Sequence, residues 1–224
     1  MHHMFAMLKR IAQSLPAGWK HELKRHYYAW QLKRGTFRTS EREFDLLDQF
    51  VKPGDWVIDI GANVGHYTAR LSQLVGEKGR VVAFEPVPAT FRLLADNSRL
   101  FRHSNVTLVN AAASDHPQIT GIEVPMGPAG SYLAHIAPNS LLKVLCMPVD
   151  SLQLSQRVAL VKIDAEGHEL AVLRGMTGLL DRDQPTLIVE VSHPAASEFL
   201  QSRRYTKEKL AGSPNCIFRK APTP

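Results

Sequence analysis

The feature that most limits what this chain can fold into is a short apolar run, Trp56 to Ile60, that ends in the turn Gly61-Ala62-Asn63-Val64-Gly65. A helical pattern follows at once, with Val64, Tyr67, Leu71, Leu74 and Val75 on one face. The motif then repeats in outline. Apolar runs at Arg80 to Phe84, Val106 to Asn110, Ala159 to Ile163 and Thr186 to Val191 alternate with helical patterns at Pro88 to Leu100 and Glu169 to Leu180. Strands apolar throughout are buried on both faces, and their alternation with helices predicts parallel βαβ units in a doubly wound α/β sheet. Upstream, a helix is predicted over Glu43 to Phe50, closed by the breaker Lys52-Pro53-Gly54-Asp55.

In such a sheet ligands bind beyond the carboxyl ends of the strands, where strand order reverses, so the residues just after each strand matter most. After the first strand, Asp59, Gly61, Asn63 and Gly65 form a turn that brings backbone close to a ligand. Asn63 stands where a dinucleotide fingerprint needs its second glycine, which weakens a pyrophosphate reading and favours a ligand without phosphates. Glu85 ends the second strand, 26 residues after Asp59, where a carboxylate accepts hydrogen bonds from ribose hydroxyls. The small residues after the third strand, Ala111 to Ala113, leave room for a flat purine, with Ala112 beside it and Ser114 to bond its edge.

Charge is unevenly placed. Residues 1–38 hold eight Lys/Arg and one acid, a net of +7, and the remainder holds nineteen against twenty, a net of −1. A neutral body counts against a nucleic-acid reader, and no nucleic-acid partner is expected. The division suggests a basic helical segment, 1–40, before a main domain, 41–224. After a break at Pro16-Ala17-Gly18, Trp19, Leu23, Tyr27 and Trp30 recur at helical spacing. The simplest expectation packs this stripe on the main domain. A basic amphipathic helix also suits an anionic membrane surface, which makes residues 1–38 a candidate peripheral membrane contact. No apolar run nears the roughly 20 residues that span a bilayer, and the start lacks the marks of a signal peptide. Two distant cysteines, Cys146 and Cys216, fit a reducing cytoplasm.

Asp59-Ile-Gly-Ala-Asn-Val-Gly-His-Tyr67, Phe84-Glu85-Pro86, Lys162-Ile-Asp164-Ala-Glu166-Gly167, Leu173-Arg-Gly175 and Glu190-Val-Ser-His193 together resemble the FkbM-type methyltransferases, in order, over roughly residues 41 to 220. These are class I enzymes dependent on S-adenosylmethionine, many of which methylate hydroxyls of sugars or natural products. The resemblance implies a Rossmann-like, mostly parallel seven-stranded sheet with a C-terminal antiparallel hairpin, for which Tyr205 to Leu210 and Asn215 to Lys220 are candidates. It also implies a donor site at Asp59, Gly61, Asn63, Gly65 and Glu85. Ala165 replaces a bulkier residue usual between Asp164 and Glu166.

The reaction so implied needs a proton acceptor. Asp164 and Glu166 follow the fourth strand and His193 the fifth, so the base is one of these, or there is no dedicated base. Capping of the helix that begins near His168 is the plain structural role for Glu166. Lys162, inside a strand, needs a partner, and Glu190 on the neighbouring strand is the simplest. Asp164, Glu166, Glu190 and His193 also form a set that a divalent cation accepts, yet no spacing demands a metal and none is expected. Tyr67 falls on the apolar stripe, and His103, His116, His135 and His168 read as surface or loop residues. His116 to Leu145 breaks the βα rhythm and reads as an irregular acceptor-binding lid, with Ser131 and Tyr132 as hydroxyl partners. The acceptor is expected to be a small molecule or carbohydrate.

Two other functions share the turn and the ribose acid. An NAD-dependent oxidoreductase predicts the full glycine fingerprint and a catalytic Tyr/Lys or Ser near the fourth strand, neither of which is present. A protein that binds the adenosyl ligand without catalysis is the other.

Overall fold

The computed structural model describes residues 16–127 and 130–221. The reading made of residues 1–15 lies outside that range.

A seven-stranded sheet organises the molecule, in the order β10-β11-β9-β8-β1-β2-β3. Its strands are β1 (Trp56–Ile60), β2 (Arg80–Phe84), β3 (Val106–Val109), β8 (Val158–Ile163), β9 (Thr186–Glu190), β10 (Tyr205–Lys209) and β11 (Asn215–Lys220). The first five of these are parallel, and β11 runs antiparallel to both β9 and β10. Side chains alternate between two cores, as the pleat requires. Ile58, Ile60, Val82, Phe84, Val161, Ile163 and Val189 face one side, with Val172, Leu173, Leu180 and Leu200 from α5 (Glu169–Arg174), α6 (Thr177–Asp183) and α7 (Pro194–Ser202). Val57, Val81, Leu160, Ile188 and Ile217 face the other. There they meet Phe44 of α2 (Arg42–Leu46) and Tyr67, Leu71 and Val75 of α3 (His66–Val75). The doubly wound sheet with its antiparallel hairpin is therefore present as expected.

Four expectations need correction. The helix predicted over Glu43 to Phe50 is helical only to Leu46 and tightens to a 3-10 turn over Leu47–Gln49. The one predicted over Glu169 to Leu180 is two helices, broken at Gly175 and Met176. A Cβ at Gly175 would collide with the Ser114 carbonyl, so the chain is pinned there against the loop after β3 and leaves its axis. The segment 116–145 is not irregular. With β4 (Ala112–Ala113) it builds a second sheet, four strands in the order β4-β7-β5-β6, from β5 (Gln118–Glu123), β6 (His135–Ile136) and β7 (Lys143–Met147). Its strands are short and half-exposed, and two of them hold only two residues, so period-two alternation gave no usable signal.

The fourth correction concerns α1 (Ala17–Arg34), which packs on α4 (Pro88–Ser98). It turns Tyr28 and Leu32 inward, next to Phe37, and ties His21 to Asp96 at 2.9 Å. Trp19, Leu23, Tyr27 and Trp30 face outward and are 49–68% exposed. The aromatic stripe does not pack on the domain. Among the described residues, no helix is long and apolar enough to cross a membrane. Cys146 and Cys216 are buried and free.

Candidate functional site

Strand order reverses between β1 and β8, and a cavity of about 380 Å³ opens at their carboxyl ends, a size usual for small-ligand pockets. Gly61, Asn63, Glu85, Ala112, Asp164 and Glu166 all line it. Gly61 has φ +77°, and a Cβ there would collide with the Asp164 carbonyl, so glycine lets the β1 turn and the β8 tip touch. Asn63 takes φ +50°, a left-handed conformation that asparagine adopts more readily than most residues.

Four of the turn's five amides are engaged. Gly61 and Ala62 both donate to the Phe84 carbonyl, at 3.1 and 2.9 Å, and Gly65 donates to the Ala62 carbonyl at 2.9 Å. Asn63 N–H donates to Glu85 Oε2 at 2.9 Å, and Val87 N–H donates to Oε1 at the same distance. A phosphate needs free N–H groups, and it would meet the Glu85 carboxylate here. Glu85 is 4% exposed. Burial pushes its pKa up to about 7, against the two backbone hydrogen bonds that favour the charged form. Each carboxylate oxygen keeps acceptor capacity for a further donor.

The S-adenosylmethionine that the resemblance implies fits these residues on two counts. The buried Oδ1 of Asn63, in the cavity wall, has no hydrogen-bond partner among the described residues, and so can receive a ligand's N–H or O–H. The strand tips also offer an acid for ribose and an alanine wall for a base, with no anion cradle between them.

The remaining expected donor residues stand behind the wall. Asp59 is fully buried, and its Oδ2 accepts from the Thr68 hydroxyl at 2.6 Å. Burial raises its pKa, opposed by the nearby Lys162 ammonium. Gly65 caps α3 in the left-handed conformation. Ser114 is buried, and its hydroxyl meets His168 Nε2 at 2.9 Å, so it is occupied rather than turned to the cavity.

Lys162 is 2% exposed, and its partner is Asp164, at 2.8 Å, rather than Glu190. Strand register explains the difference. Lys162 sits opposite Ile188, so Glu190 lies two residues further along β9. Burial alone would lower the Lys162 pKa, yet the charges of Asp164 and Asp59 hold it raised. Its ammonium also lies 4.5 Å from the Tyr67 ring centre. Tyr67 is core, as expected, but its hydroxyl reaches Glu41 at 2.5 Å and Glu43 at 3.1 Å.

Asp164, Glu166 and Glu190 bring one carboxylate oxygen each within 4.8 Å of one another. Burial and then the Asp164 charge raise Glu190 to about 7, and the same causes raise Glu166. Glu166 has φ +48° and follows directly on the β8 tip. Gly167 N–H donates to Glu169 Oε1 at 2.8 Å, and the N-cap of the helix, His168, makes no side-chain cap hydrogen bond. His193 is exposed at the N-cap of α7, and it does not line the cavity.

Several lining residues were not singled out as site residues in the sequence. Arg38 and Glu41 precede the sheet in the chain and reach the cavity through the Glu41–Tyr67 contact. His168 read as a surface residue but is half-buried in the wall, and burial lowers its pKa. His66 also lines the cavity, held at a pKa of about 4 by burial. Ser131 and Tyr132, by contrast, were expected as acceptor contacts and do line the cavity, and Asn63 Nδ2 donates to the Ser131 carbonyl at 3.2 Å. The second sheet thus closes over the turn that would hold the donor.

The sequence profile of the FkbM methyltransferase domain matches residues 59–210. Hexuronic acid methyltransferase AglP of Haloferax volcanii is 29% identical over 154 residues, covering 67% of this chain and 61% of that protein. Ribosomal RNA large subunit methyltransferase E of Marinobacter nauticus is 30% identical over 115 residues, covering 46% and 56%. The chain therefore spans about three-fifths of the length of these curated relatives. Among solved structures, a methyltransferase FkbM from Methylobacillus flagellatus KT superimposes with a TM-score of 0.56 at 17% identity, covering 79% of this chain and 50% of that one. A Streptococcus mutans methyltransferase in complex with SAH gives 0.51 at 13% identity, covering 80% and 96%. At such identities the likeness is one of fold.

Proposed function

Since the chain belongs to the FkbM methyltransferase family, we propose that it moves the methyl group of S-adenosylmethionine to a hydroxyl of a sugar-bearing acceptor. The observation that carries the donor assignment is the pairing of Glu85 with a turn in which four of five amides, Asn63 N–H among them, are already engaged. That arrangement suits a ribose and repels a pyrophosphate, and so disfavours a nicotinamide dinucleotide. The sugar-bearing acceptor draws support from the hexuronic acid methyltransferase, the first relative above, whose match covers 67% of this chain.

Bound donor supplies a methyl group on a positively charged sulfur. What the protein adds is alignment and proton removal. Alignment can supply about 7–11 kcal/mol in well-oriented systems, and a general base about 10²–10⁴-fold. Positioning is the larger contribution. Glu85 holds the ribose, and the Gly61–Asp164 contact fixes the donor turn against the β8 tip. Asp164, held in place by Lys162 at 2.8 Å, would line the methionine end of the donor. Glu166 takes the acceptor's proton as the new carbon–oxygen bond forms. Its proton affinity is raised by burial and by the acids beside it, which suits a base working near neutral pH.

Two assays test this. Calorimetric titration should give binding of S-adenosylmethionine and none of NAD. Release of S-adenosylhomocysteine should then depend on a hydroxylated acceptor, scored across a panel that includes hexuronic acids, neutral sugars and ribosomal RNA. Turnover on RNA alone would overturn the sugar assignment, and NAD binding in preference would overturn the donor assignment. Glu166→Gln should lower kcat by about 10²–10⁴-fold at unchanged donor affinity. An unaffected kcat would remove Glu166 as the base.

A further inference from the structure

The outward face of α1 carries Trp19, Leu23, Tyr27 and Trp30 at spacings of four, four and three residues, in one line along the helix. Each is about half or more exposed. Tyr27 and Trp30 stack at 6.3 Å, and the Arg34 guanidinium lies 4.8 Å from the Trp30 ring centre. Lys20, Lys24 and Lys33 flank the line, all exposed and none in an ion pair among the described residues. The domain-facing polar groups are satisfied, His21 by Asp96 and Arg25 by Glu22. Packing among the described residues therefore does not account for the aromatic line or for the flanking lysines.

We propose that this face of α1 docks the protein on an anionic lipid bilayer, with the rings in the headgroup layer and the lysines on lipid phosphates. Charge complementarity argues for this occupant. The helix itself holds five Lys/Arg against one acid, a net of +4, whereas residues 39–224 carry −1, so the attraction is concentrated where the rings are. Tryptophan and tyrosine, apolar with one polar edge, are the side chains enriched at that depth of a membrane. A nucleic acid would also accept lysines. However, a linear stripe that includes Leu23 and is matched to one helix face fits a planar interface better than a groove or a stack of bases.

The helix that carries the docking face adjoins the cavity through its inward side. Tyr28, one residue from Tyr27, interacts with the Tyr132 hydroxyl and lies edge-on to His66 at 6.1 Å, and both of those residues line the cavity. An acceptor sugar carried on a lipid would thus reach the site from the bilayer. That clause rests on the methyl-transfer reading; the docking itself does not.

Sedimentation of the full chain with vesicles tests the docking without any turnover assay. One set would be phosphatidylcholine alone and the other equal parts phosphatidylcholine and phosphatidylglycerol. The expected result is binding to the anionic set only, with a blue shift of tryptophan emission and weakening as salt rises. Lys20→Gln/Lys24→Gln/Lys33→Gln should weaken binding by about 100-fold, since each basic residue near such a surface is worth about fivefold. Trp19→Ser/Trp30→Ser should abolish what remains at high salt. Because these positions are exposed, both variants should keep the wild-type circular dichroism and donor affinity. Equal binding of wild type and variants, or none to anionic vesicles, would overturn the proposal. So would a preference for single-stranded RNA over vesicles, or a dimer in ultracentrifugation that the tryptophan variant dissolves.

Discussion

Glu85 sits where water is scarce and a charge is useful. Burial raises its pKa to about 7, while the amides of Val87 and Asn63 pull the other way. The ribose hydroxyls are hydrogen-bond donors and prefer the carboxylate, so donor affinity should rise as pH climbs through about 7. Calorimetry on either side of that value checks this, and Glu85→Gln should remove the dependence. The stability of the ligand-free protein moves in the opposite sense. A carboxyl whose folded pKa lies above its unfolded value of 4.5 stabilises the fold fully below that value and loses the contribution as pH rises through about 7. The melting temperature should therefore fall across that window, and less steeply in Glu85→Gln. Raised proton affinity at Glu166 similarly predicts a kcat/KM whose rising limb lies above the ordinary carboxylate range, displaced downward in Glu190→Gln. His193→Ala, altering an exposed helix cap outside the cavity, should leave the rate unchanged. The acid at 85 was legible because one helix of the right length separates it from the glycine turn. The Lys162 partner was not, because register between β8 and β9 decides it and a single sequence does not state register.

Elements built on long apolar runs were legible to within a residue or two. β1, β2, β8 and β9 are buried on both faces, so their sequences read as mainly apolar runs, interrupted inside only by Asp59 and Lys162. What escaped was decided by contacts distant in sequence. The break between α5 and α6 comes from Gly175 meeting Ser114, sixty-odd positions earlier in the chain. Gly175→Ala should destabilise the protein by roughly 1–3 kcal/mol, read as a lower denaturation midpoint. Asp150 holds the next helix from outside, accepting from Gly178 and Leu179 N–H at 2.8 and 2.9 Å. Asp150→Ala should cost about 1 kcal/mol. The second sheet was invisible because its strands are short and its Ile119–Leu145 pair faces outward, where alternation reads as irregularity. It still delivers Ser131 and Tyr132 to the cavity, where the sequence had placed acceptor contacts. Tyr132→Ala should raise the acceptor KM while the donor dissociation constant stays put. Removing the whole of 127–139 would be a poorer test, since it takes β6 away from the edge of β5.

At the scale of the molecule, the chain separates two tasks. The sheet holds a donor at its switch point, and the basic helix in front of it presents rings and lysines outward. The charge asymmetry between 1–38 and the remainder was plain in the sequence. Which face of α1 would be buried was not, since Tyr28 and Leu32 on one side and Trp19 to Trp30 on the other are both apolar lines at helical spacing. Shape around α4 chose between them. The account as a whole depends on what the turn at Gly61 and the acid at Glu85 hold. The most direct measurement is the affinity of S-adenosylhomocysteine for wild-type protein and for Glu85→Ala, with folding checked by circular dichroism. Tight binding that falls by at least tenfold in the variant is the predicted result. Undiminished affinity in a folded Glu85→Ala protein would contradict it.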